Sequence, residues 1–93
     1  MLKGLFKKKL RFGDAYAVQT GDYAGQMYIF IEKTKDSYEF LSSPLMENRS
    51  VPVEKFDFAL QEGIIEYVER LPRYVRNITR AKFKENESFY KSA

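Results

Sequence analysis

The 93-residue sequence contains no cysteine, no histidine and no tryptophan. Without cysteine there is no disulfide scaffold, thiolate metal site or thiol nucleophile. Without histidine there is no imidazole general base, no Ser–His triad and little basis for a transition-metal site. Long hydrophobic runs are missing too; nothing approaches the roughly 20 apolar residues of a membrane helix. The basic N-terminal stretch lacks both an uninterrupted apolar segment and a small-residue cleavage site, so it does not read as a secretory signal. These absences predict a non-enzymatic, cytoplasmic protein with no cofactor and no metal.

What is present describes one globular domain. Hydrophobic residues make up 44% of the chain and charged residues 31%, and eight Phe with seven Tyr supply much of a single core. The charge is unevenly placed. Residues 1–12 carry five basic side chains and no acid, residues 13–69 carry four bases and eleven acids, and residues 70–93 carry seven bases and two acids. An acidic middle between two basic ends bears on partners, not on fold.

Along the chain, residues 1–12 read as a basic arm, 13–69 as a small β unit, 71–85 as a helix and 86–93 as a frayed tail. Tyr16 and Val18 alternate with Ala17 and Gln19 as in a strand. Thr20 to Gly25 is turn chemistry, with Gly21 and Gly25 available for positive φ and Asp22 able to bond its own backbone. Residues 26–33 are the clearest strand, rich in aromatic and β-branched side chains. A turn at Lys35-Asp36 leads to a strand over 37–42, which Pro44 stops. Residues 46–50 read as a loop before a short edge strand at 51–53, because Pro52 cannot donate to a ladder.

Residues 54–69 admit two readings. Phe56, Leu60, Ile64, Tyr67 and Leu71 recur at helical spacing, as in one long helix. Gly63 favours the alternative, a helix over 54–62 followed by a strand over 64–69. The split reading is preferred. Pro72 suits the start of the last helix, where its missing N–H costs nothing. There Leu71, Tyr74, Val75, Ile78 and Ala81 form an apolar stripe expected to pack on the β unit.

Arg73, Arg76, Arg80 and Lys84 share an arc of about 80° opposite that stripe, over about 17 Å of helix. No acidic residue lies between Arg70 and Lys84. Such a stripe is suited to tracking phosphates through charge-assisted contacts. A solvated face usually mixes both signs. The arm adds Lys7, Lys8, Lys9 and Arg11, and its Leu2, Leu5, Phe6 and Leu10 are spaced for one helical face. That chemistry also occurs at membrane surfaces, although so short a segment binds them weakly alone. Tyr23, at a turn tip, is the aromatic best placed to stack a base, whereas Tyr16 and Tyr28 read as half-buried strand residues. Glu62, Glu66 and Glu69 would line one face of a continuous helix, where a solvated acidic face is a simpler account than a Mg²⁺ or acid–base site.

Residues 13–31, Gly-Asp-Ala-Tyr-Ala-Val-Gln-Thr-Gly-Asp-Tyr-Ala-Gly-Gln-Met-Tyr-Ile-Phe-Ile, resemble the KOW motif. Tyr16 and Val18 take the place of its first strand, Gly21 and Gly25 its turn, and Tyr28 stands where a further glycine is often found. The resemblance implies a small SH3-like barrel of the kind that contacts RNA, DNA or RNA polymerase in transcription and translation. The expected fold is therefore α+β, a small antiparallel SH3-like β-barrel of four to five strands with a packed C-terminal amphipathic helix. The expected function is nucleic-acid binding through Lys7, Lys8, Lys9, Arg11, Tyr23, Arg73, Arg76, Arg80 and Lys84. The alternative is a protein-interaction module, a small accessory or virally encoded adaptor or inhibitor seated on an acidic protein surface such as that of RNA polymerase.

Overall fold

The computed structural model describes residues 9–92. Five strands and two helices follow in the order β1 (Asp14–Val18), β2 (Met27–Lys33), β3 (Ser37–Ser43), β4 (Glu47–Pro52), α1 (Val53–Gln61), β5 (Ile65–Arg70) and α2 (Arg73–Ser92). β1 to β4 form an antiparallel meander, and β5 returns antiparallel beside β1, giving the sheet order β4-β3-β2-β1-β5. The fold is α+β, but the sheet is open. β4 and β5 are its two edges, so the closed barrel implied by the resemblance of residues 13–31 is not formed.

The turn residues behave as their chemistry requires. Gly21 and Gly25 bracket the β1–β2 turn with φ of 90° and 93°. Gly63, at φ 74°, ends α1 and lets the chain re-enter the sheet as β5, which is the split reading of this region. Residues 47–50, expected as loop, are instead strand. Glu, Asn, Arg and Ser have little intrinsic strand preference, but β3 supplies a complete ladder from Ser42 opposite Glu47 to Ser37 opposite Pro52.

Two cores lie on opposite faces of the sheet, because Phe40 and Leu41, adjacent on β3, point in opposite directions. On the α1 face, Tyr16, Tyr28, Phe30, Tyr38 and Ile65 surround Phe40 and Phe56. Phe40 is fully buried, and its ring centroid lies 4.9 Å from that of Phe56, 5.5 Å from Tyr28 and 5.8 Å from Phe30. Most ring pairs here meet edge to face, the arrangement the aromatic quadrupole favours.

The α2 face is thinner, built from Ile31, Leu41 and Phe83 with Phe12 and Met46 alongside. Polar clips fix the helix across β4. Asn48 Nδ2 donates to the Phe83 carbonyl (3.0 Å), and Asn86 Nδ2 donates to the Met46 carbonyl (3.0 Å) and to Asn48 Oδ1 (2.9 Å). These bonds anchor α2 as far as Asn86, and the helix continues to Ser92 where the composition suggests a frayed tail.

The docking face of α2 also differs from the expected apolar stripe. Thr79 and Phe83 are the buried residues, whereas Tyr74 and Ile78 are 70% and 59% exposed and Ala81 is exposed. The cause is what stands opposite. Gly13 leaves a hollow that accepts the aliphatic stem of Arg76, and Phe12 presents a ring to the Arg80 guanidinium. Long cationic side chains cover apolar surface with their stems, which a reading by hydrophobicity alone overlooks.

Candidate nucleic-acid interface

The site is assembled where three segments meet: the Phe12-Gly13 passage into β1, the end of β5 and the first three turns of α2. Backbone bonds weld the joint, with Gly13 N–H donating to the Phe30 carbonyl (2.9 Å) and Leu71 N–H donating to the Gly13 carbonyl (3.0 Å). Pro72 precedes the helix, and its carbonyl accepts the first intrahelical bond from Arg76 N–H (2.9 Å). Its ring suits this place, because no donor is needed there.

Arginines then wrap the joint. Arg70 Nε donates to the Phe12 carbonyl (3.1 Å), and Arg76 Nη1 donates to the Leu71 carbonyl (2.8 Å). The Arg80 guanidinium carbon sits 3.8 Å from the Phe12 ring centroid, a close cation–π contact. Arg73 and Lys84 extend the same arc and are exposed. Desolvation, then the charges of Arg70 and Arg73, lower the Arg76 pKa from its ordinary value. Among the described residues, the ion pairs are Arg11–Asp14, Arg49–Glu47 and Lys82–Glu85, so no carboxylate neutralises Arg70, Arg73, Arg76, Arg80 or Lys84.

The other expected site residues are not all brought to this surface. Lys7 and Lys8 lie outside the described residues. Lys9 is exposed and lines a cavity of about 350 Å³ with Leu10, Arg11, Asp14, Tyr16 and Tyr67. Arg11 is engaged rather than free. Its Nη2 lies 3.3 Å from buried Asp14 Oδ1 and 3.3 Å from the Tyr67 hydroxyl, and its backbone N–H donates to Asp14 Oδ2 (2.8 Å). The hydrogen bond to Asp14 and the charge of Asp14 raise the Arg11 pKa. Tyr16 and Tyr28 are buried, and burial raises both hydroxyl pKa values.

Tyr23 is 49% exposed, as a turn-tip residue should be, but it stands apart from the arginines. It borders a groove of about 440 Å³ on the α1 face, lined also by Tyr28, Arg49, Lys55 and Phe56, with the Arg49 guanidinium 5.2 Å from its ring centroid. Arg49 and Lys55 were not separable from the acidic middle of the chain by charge counting. Arg70 was hidden because it ends a strand, outside the helical arc. Glu62 caps the end of α1 whereas Glu66 and Glu69 lie on β5, all three exposed, and no cluster among the described residues could hold a metal ion.

No helix of the described residues is long and apolar enough to cross a membrane. Comparison with protein-family models, with curated proteins and with solved structures finds no match.

Proposed function

We propose that this chain is a non-catalytic binding protein that engages the phosphates of nucleic acid, in transcription or translation. Arg70, Arg73, Arg76, Arg80 and Lys84 form the contact surface, and the basic arm with Lys7, Lys8 and Lys9 adds positive charge to the chain. The observation that carries this reading is the clustering of cations around one joint with, among the described residues, no carboxylate at ion-pair distance from them, in a chain that holds thirteen acidic residues. Like charges so placed repel, and a polyanion relieves that repulsion on binding. Arg70, Arg76 and Arg80 are also pre-positioned by the contacts described above, which lowers the ordering cost of an anion contact.

The test is fluorescence anisotropy with labelled single-stranded RNA, single-stranded DNA and duplex DNA across a salt series. Four or five phosphate contacts predict a log–log slope of roughly −4 on duplex DNA. Absence of binding at low salt would remove this reading. An acidic protein surface would then become the partner to seek.

A further inference from the structure

Around its circumference α2 falls into three sides. Thr79, Phe83 and Asn86 make the docked side, buried or bonded to the strands. Next to it comes the arc of Arg73, Arg76, Arg80 and Lys84. Past that arc lies a third side with Tyr74 and Ile78. At about 100° per residue, Tyr74 stands roughly 80° beyond Lys84 and Ile78 roughly 120° beyond it, turned away from the sheet. Asn77 and Ala81, exposed and short, occupy the helix surface between the cations and the ring.

Tyr74 is 70% exposed and Ile78 is 59% exposed. Among the described residues Tyr74 has no hydrogen bond, ring partner or cation partner. The other tyrosines whose side chains are described are all engaged, Tyr16, Tyr28, Tyr38 and Tyr67 in ring pairs and Tyr23 with Arg49. A single exposed ring on a protein surface means little. A ring with both faces unclaimed, immediately beside a row of cations without ion-paired carboxylates, is the pairing that binds unpaired nucleotides.

We infer that the cationic joint is a single-strand site, in which Tyr74 stacks an unpaired base while Arg73, Arg76, Arg80 and Lys84 follow the phosphates. This rests on the phosphate reading above and names the form of nucleic acid that the surface takes. A strand lying along the arc carries its bases to one side, and the side away from the sheet is where Tyr74 waits. Ile78, about 6 Å further along the helix axis, offers the next base an apolar seat. A duplex gains nothing from either side chain, because its bases are already stacked on one another and present only their edges. Charge alone favours the duplex, which carries more phosphate per unit length, but that advantage fades as salt rises, whereas stacking persists. Single-stranded RNA and DNA share the base and phosphate that the site requires, and the two are separate arms of the test.

The test uses the full chain with short single-stranded RNA, single-stranded DNA and duplex DNA of equal length, titrated at low and at near-physiological salt. At the higher salt one or both single strands should bind more tightly than the duplex. Tyr74→Ala should weaken single-strand binding about five- to tenfold and leave duplex binding, the salt slope and the melting temperature unchanged. Tyr74→Phe should retain single-strand affinity, since the ring and not the hydroxyl stacks. The chain has no tryptophan, so Tyr74→Trp supplies a lone reporter whose emission should be quenched by single strands and not by duplex. Full single-strand affinity in Tyr74→Ala, or equal quenching of the Tyr74→Trp reporter by duplex, would overturn the single-strand inference while leaving the phosphate reading in place. Absence of binding to all three nucleic acids at low salt would remove both.

Discussion

Gly13→Ala tests the joint on which the cationic site is built. Gly13 has φ of 92°, a conformation that an L side chain adopts at a cost of about 1–2 kcal/mol. A Cβ at this position would also overlap Arg76 Cδ and stand 2.6 Å from Arg76 Cγ. These are mid-chain atoms of a side chain tethered by its 2.8 Å bond to the Leu71 carbonyl, so the stem must leave its hollow and forfeit that bond. A charged hydrogen bond that is only partly buried contributes about 1 kcal/mol or slightly more. Gly13→Ala should therefore cost about 3 kcal/mol, a fall in melting temperature of roughly 12–24 °C for a domain of this size.

The decisive assay is a double-mutant cycle by urea denaturation. In an Arg76→Ala background the overlap is absent, and Gly13→Ala should cost only the backbone strain of about 1–2 kcal/mol. A coupling energy near 1–1.5 kcal/mol is expected. Equal cost in both backgrounds would refute the reasoning, since Arg76 would then not occupy the space that glycine leaves.

The remaining predictions address other parts of the molecule. Arg73→Ala combined with Lys84→Ala removes two exposed cations without disturbing packing; the salt slope on duplex DNA should fall by about 1.8 while the urea midpoint stays unchanged. Phe83→Ala empties the centre of the α2 core and should cost about 3–5 kcal/mol, read from the same denaturation curves. Burial raises the Tyr16 hydroxyl pKa, so at alkaline pH the unfolded chain releases this proton while the native chain keeps it. The Tyr16 contribution to stability should be constant below about pH 10 and be lost above it, with part of the tyrosinate absorbance appearing only as the protein unfolds.

The elements whose identity rests on local chemistry were legible in the sequence. Gly63 marked the end of α1, Gly21 and Gly25 marked the first turn, and alternation marked β2 and β3. What was not legible depended on partners distant in the chain. β4 is a strand because β3 offers it a ladder, not because Glu47 to Ser50 prefer one. The rotation of α2 was decided by Gly13 and Phe12, sixty-odd residues upstream, which turned two arginines into packing groups and left Tyr74 and Ile78 outside. For the same reason Arg76 and Arg80 are poor probes of binding. Their substitution would disturb the joint as well as remove charge, whereas Arg73 and Lys84 report charge alone. Charge counting treats Arg11 as a free cation, but Asp14, three residues on, holds it.

The placement of β5 beside β1 has a kinetic side. β2, β3 and β4 are joined by short turns, so their ladders close small loops and lose little chain entropy in forming. The β1–β5 ladder, with Tyr16 opposite Tyr67, must instead draw together segments separated by the whole meander and α1. Contacts of such long sequence separation slow folding. The Gly13–Leu71 bond and the arginine joint depend on that same closure. The meander is therefore expected to order first, and the cationic surface to exist only once the last long loop is shut. Substitutions within the joint should then quicken unfolding far more than they slow folding, which makes the site a sensitive monitor of how long each native molecule survives.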